Sequence, residues 1–131
     1  MQMDISVWCV FAVFILMYAP RLPALSGTVR QEGHIDLGHP RIQQARLGGM
    51  GARAQAAHLN TVEAFAPFAA AVWVAHHYGV DAGSRDLLAV AFVIARVLFI
   101  LAYLADLNPW RTVIWSVGHL FIALLFLSPL L

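Results

Sequence analysis

Apolar residues run almost unbroken through four stretches, about residues 5–22, 52–78, 87–107 and 109–131, separated by short polar segments. Each matches the ~20 residues that a bilayer-crossing helix needs. The runs are rich in Ala and Leu and do not alternate over ten-residue units, which argues against barrel strands. In lipid a segment must satisfy its own backbone groups, so each is expected to be helical. The first stretch follows Met1-Gln2-Met3-Asp4, which lacks the positive leader of a secretory signal. The bulky Arg21-Leu22-Pro23 behind it is a poor cleavage context, so the stretch is expected to stay as a span. The pattern predicts an all-α membrane protein, one antiparallel bundle of four transmembrane helices occupying residues 1–131.

The polar segments set the expected orientation. Residues 23–51 read as the one real loop, with Gly27, Gly33, Gly38, Gly48, Gly49 and Gly51 and with Arg30, Arg41 and Arg46. Arg21 and Arg53 flank it. Arginine excess places such a loop in the cytoplasm, which turns both termini outward. The compact chain suggests a bacterial inner membrane. The other connections are short: residues 79–86 hold Asp81, Arg85 and Asp86, and the last turn is Asp106-Leu107-Asn108.

Composition removes the soluble classes. Hydrophobic residues make up 61% of the 131 and charged residues 11%, with mean hydropathy +0.75. A soluble domain carries roughly 25% charged residues. The net charge of +1 leaves no electrostatic footprint for nucleic acid. Every basic residue is Arg, and the single Cys9 excludes an internal disulfide and a cysteine zinc site.

What remains is the polar content of the apolar stretches, where a charge costs at least ~2.5–3.5 kcal/mol and needs a partner or a purpose. The second stretch carries Arg53, His58, Asn60 and Glu63; the third carries Arg96 and Tyr103. At about 100° per residue, Arg53, Ala56, Asn60, Glu63 and Pro67 fall on one stripe, and His58 points elsewhere. Glu63 lies eleven residues in from Ala52, and Arg96 eleven before Leu107. In antiparallel helices both are then roughly 17 Å deep, which predicts a buried Glu63–Arg96 pair. Tyr103, seven residues on from Arg96, shares its face. Such pairs also serve as plain structural glue between helices. His76 and His77 beside Tyr78 read as interfacial residues, and His119 as a packing residue. His34 and His39 show no ligand spacing, and no metal is expected.

Asn108-Pro109-Trp110-Arg111-Thr112 opens the fourth stretch. Asn is a good N-cap and Pro suits the first helical position. Arg111 then projects from a first turn near Tyr103, beside the positive helix end. There it favours an anion and would lower the pKa of a thiol. The alternative is an arginine that merely sets topology at the interface.

These residues resemble the MAPEG family, the membrane-associated proteins of eicosanoid and glutathione metabolism. The resemblance is carried by Arg53, by Ala57-His58-Leu59-Asn60-Thr61-Val62-Glu63, and by Pro67-Phe68. It continues through Ala95-Arg96-Val97, Ala102-Tyr103-Leu104 and Pro109-Trp110-Arg111-Thr112. It implies a homotrimer with glutathione held between protomers near the cytoplasmic face. It also implies transferase or peroxidase activity on lipophilic electrophiles or lipid hydroperoxides. By position, Arg53, Asn60, Glu63, Arg96 and Tyr103 would bind glutathione, with Arg111 and Tyr103 as the catalytic residues acting on the thiolate. Glutathione is the co-substrate; the other partners expected are membrane lipid and lipophilic small molecules. Two positions depart from the family pattern: many eukaryotic members have Arg at the place of Ala56, and several have Tyr at that of Ala64.

The chemistry agrees with this reading. A thiol of pKa near 8–9 is mostly protonated at pH 7, so a transferase needs fixed cationic groups beside the sulfur. Two other readings stand beside it: a lipid-binding or scaffold protein without activity, and a small proton-coupled exporter using Glu63.

Overall fold

The computed structural model describes residues 4–131. Met1–Met3, on which part of the leader argument rests, lie outside the described residues. No strand occurs among the described residues. The helices are α1 (Ile5–Tyr18), α2 (Arg21–Glu32), α3 (Pro40–Ala45), α4 (Gly49–His77), α5 (Ala82–Leu104) and α6 (Trp110–Leu127), followed by a 3-10 turn over Ser128–Leu130.

Three helical segments are long and apolar enough to cross a membrane: Ile5–Glu32, Ala82–Leu104 and Trp110–Leu130. The first joins α1 to α2 through Pro20, whose missing N–H interrupts the helical ladder. The α4 helix is not among these three. It is the longest at 29 residues, but Arg53, Gln55, His58, Asn60 and Glu63 crowd its first half.

Packing explains why α4 tolerates that load. It lies against α1, α2, α5 and α6. Its buried positions, Ala54, Ala57, Thr61, Ala64, Phe68, Ala71 and Ala75, recur at steps of three and four, so one small-residue face turns inward. Phe68 of α4 and Phe92 of α5 stack with centroids 4.2 Å apart at the centre of the core. Gly118 of α6 lies over the Phe92 ring, and a Cβ there would make ordinary contact with it at 3.7 Å. On the outer side of α1, Trp8, Phe11, Phe14 and Tyr18 form an exposed ridge of touching rings.

Residues 23–51 are a correction to the expected loop, because most of them are helical. Glycine here serves close packing rather than looseness: a Cβ on Gly27 of α2 would stand 2.8 Å from the Gly51 Cα of α4. Gly33 ends α2 in a left-handed conformation, φ 77°, with its N–H bonded to the Val29 carbonyl. Gln43, 2% exposed, then ties the turn together. It accepts from the Asp36 N–H at 2.8 Å and donates to Glu32 at 3.0 Å and to the His34 carbonyl at 2.9 Å. Arg46 closes the segment on Glu32 at 3.0 Å, and that hydrogen-bonded carboxylate raises the Arg46 pKa above its ordinary value.

The opposite end has its own tie. Arg85, 6% exposed, donates to Asp4 at 2.6 Å, to the Ser6 hydroxyl at 3.1 Å and to the Val80 carbonyl at 3.1 Å. His76 joins this group through Ser6 at 3.1 Å. His77 stacks on Trp73, and His119 bonds to the Trp115 carbonyl at 2.9 Å and lies on the Trp115 ring.

Candidate functional site

The site residues come from the first half of α4, the second half of α5 and the first turn of α6. Arg96 is the deepest, 1% exposed. Its Nη1 donates to Asn60 Oδ1 at 2.9 Å, and its guanidinium carbon lies 4.8 Å from the centroid of Phe99 and 5.4 Å from that of Phe92. The buried Nε has no hydrogen-bond partner among the described residues.

Glu63 is not that partner, which corrects the expected pair. Among the described residues no ion pair joins Glu63 to Arg96. Depth alone was an incomplete criterion: three residues along a helix leave side chains about 60° apart, at the two edges of one stripe. Asn60 faces α5 and takes Arg96, and Glu63 is rotated off to the exposed surface of the protomer.

Nearer the helix ends a second group forms. The Arg111 guanidinium sits 4.6 Å from the centroid of the Tyr103 ring. Tyr103 packs edge-on against Phe99, centroids 5.4 Å apart. Arg96, Phe99, Tyr103 and Arg111 therefore form a continuous stack in which two cations bracket two aromatic rings, the arrangement that the negative ring face favours. Asp106 adds the counter-charge: its carboxylate lies 3.4 Å from Arg111 Nη1 and 3.8 Å from Arg53 Nη1. Arg53 also donates from Nε to the Leu104 carbonyl at 3.3 Å, at the end of α5.

Two of these side chains escaped the sequence reading. Phe99 lies three residues after Arg96 and four before Tyr103, which is the helical spacing of a shared face. Asp106 follows Tyr103 by three but stands beyond the helix end, with φ 57°. That left-handed turn folds its carboxylate back, and no periodicity argument reaches it. Helix α6 also begins one residue later than expected: Pro109 is the N-cap, no side chain caps it, and Asn108 does not take that role.

The arrangement offers cations, one neutral amide and a phenol along a single line from the ends of α5 and α6 to the buried Arg96, a donor set suited to an anionic or polar extended ligand. Among the described residues, four clefts of about 310 to 610 Å³ are lined by other side chains and not by Asn60, Glu63, Arg96 or Tyr103. His58 is directed away from this line, bonding through Nδ1 to the Met17 carbonyl at 2.6 Å.

The MAPEG family model matches residues 5–131, nearly the whole chain. No curated protein matches the chain.

Proposed function

The chain belongs to the MAPEG family, and from that premise we propose a glutathione-dependent membrane transferase or peroxidase acting on lipophilic electrophiles or lipid hydroperoxides. Membership and the apolar helices make it an integral membrane protein of a family tied to glutathione and eicosanoid metabolism. The finer reading is supported above all by the stack of Arg96, Phe99, Tyr103 and Arg111 with Asn60 hydrogen-bonded at its deep end.

In this reading α4 is the fourth span, and three protomers assemble so that a neighbour closes the exposed side of the stack. Glu63, turned outward on each protomer, then meets ligand or a neighbour instead of water or lipid. Glutathione lies along the line: its carboxylates meet Arg53 and the other cations, its amides meet Asn60 and Glu63, and its sulfur lies beside the stacked pair of Tyr103 and Arg111. A guanidinium beside the sulfur favours the thiolate. In conjugation the thiolate sulfur attacks the electrophilic carbon and the leaving group departs with its electron pair. In peroxidase turnover two glutathione thiols reduce one hydroperoxide to alcohol and water and become the disulfide. The acceptor arrives from the bilayer.

The second reading, a scaffold without activity, draws on Ala56 and Ala64, which offer no polar group where many relatives have Arg and several have Tyr, and on Asp106, which engages two of the cations. Titration of the purified protein with glutathione separates the two, because a ligand that binds only the folded state raises its thermal stability with concentration. A rising midpoint supports the first reading. No shift at millimolar glutathione supports the second.

A further inference from the structure

A separate cleft of about 610 Å³ opens where α1 gives way to α2, within the ~300–1,000 Å³ range of small-molecule sites. Tyr18 and Arg21 form one wall, Arg41 and Gln44 of α3 a second, and Gln55 and His58 of α4 a third. At about 100° per residue, Gln55 stands roughly 200° round α4 from Arg53, as His58 does from Asn60. Within one protomer the cleft and the Arg53–Asn60 stripe therefore occupy opposite faces of that helix.

Its charge is of one sign. Two guanidinium groups line it and no carboxylate does. Arg21 donates from Nη1 to Gln55 Oε1 at 2.8 Å, a neutral partner that positions the guanidinium without cancelling its charge. Gln55 passes the link to Gln44 at 3.2 Å, which holds α3 over the cleft. Arg41 is exposed and makes no ion pair among the described residues. Arginine forks of this kind match phosphate oxygens.

The surroundings indicate the source of that phosphate. Tyr18, 53% exposed, belongs to the cleft and is also the last ring of the α1 ridge, touching Phe14 at 5.6 Å. An amphipathic ring at the end of an apolar helix is characteristic of the membrane–water boundary. A polar cleft with two cations thus surmounts an exposed aromatic ridge. A soluble anion would use only the cations. A phospholipid would use both, with its phosphate between the arginines and its chains along Phe14 and Phe11.

We propose that this cleft binds the phosphate headgroup of an anionic membrane lipid. The test uses the full-length protein in phosphatidylcholine nanodiscs, titrated with phosphatidylglycerol, with retained lipid counted by native mass spectrometry. Saturable retention of one phosphatidylglycerol per protomer, in preference to phosphatidylcholine, is expected. Arg41→Gln, which removes no contact between helices, should weaken retention about fivefold, as should Arg21→Gln; Arg21→Lys should keep part of it. Equal retention of the two lipids, or unchanged retention in Arg41→Gln, overturns the proposal. Displacement of the lipid by millimolar inorganic phosphate would assign the cleft to a soluble anion, and displacement by glutathione would merge it with the thiol site; either result also overturns it. A protein that binds lipid here but shows no glutathione response would leave this proposal standing and remove the functional one.

Discussion

Arg96 of α5 donates to Asn60 of α4 across 2.9 Å, and the two helices are joined at that depth by one charged donor and one neutral acceptor. The guanidinium is 1% exposed, so its hydration is lost and must be replaced locally. Asn60→Ala removes that acceptor and should destabilise the detergent-solubilised protein by about 1–2 kcal/mol, in the upper part of the range for hydrogen bonds between membrane helices. Glu63→Gln, by contrast, should leave the thermal midpoint nearly unchanged, because Glu63 is exposed and makes no ion pair with Arg96. Thermal unfolding of both variants checks the assignment, and a larger loss in Glu63→Gln would contradict it.

Arg111→Ala should lower conjugation of an aryl halide by about 10²-fold or more, the usual scale for removing one preorganised group that stabilises a reacting anion. Thiolate absorbance of bound glutathione should fall with it, and gel filtration should show an elution volume equal to that of the unaltered protein. Turnover equal to the unaltered protein would remove Arg111 from the chemistry.

Asp106 lies between two arginines and competes with any incoming anion for both. Asp106→Asn keeps a residue that tolerates the left-handed backbone. Since the carboxylate is 59% exposed, solvent screens these contacts and the effect is modest. Glutathione should bind up to about fivefold more tightly, measured by calorimetry. Weaker binding would mean that Asp106 holds the arginines in place for the ligand.

Gly27→Ala forces a Cβ to within 2.8 Å of the Gly51 Cα, where backbone and not a flexible side chain must yield. A loss of about 1–3 kcal/mol is expected, with protease cleavage appearing first between α2 and α4. Gly33→Ala meets no atom within 4 Å but must adopt φ 77°, so it should cost less, roughly 1 kcal/mol. Equal stability of Gly27→Ala and the parent would show that the α2–α4 crossing is looser than described.

Part of this side-chain cluster was legible from spacing. Arg96 and Tyr103, seven residues apart on a helix, had to share a face, and Asn60 had to share a stripe with Arg53. Spacing failed where it gave distance without direction: Glu63 matched Arg96 in depth, yet its azimuth turned it outward and left Arg96 to Asn60. It failed again at residues 23–51, where glycine signalled a loop. A glycine's lack of a side chain suits a turn and a close helix crossing equally well, and only the position of Gly51 opposite Gly27 distinguishes them.

The amino-acid sequence alone determined the solvent of this protein and its long apolar helices, because few charges and long apolar runs cannot be hydrated and must satisfy their own backbone in lipid. It also determined which polar side chains had to be accommodated. The tertiary structure decided their partners, since a hydrogen bond or a cation over a ring depends on the rotation and offset of two helices, quantities that no single helix contains. That is why Asp106, beyond the end of α5 and returned by a left-handed turn, entered the site only once the helices were packed.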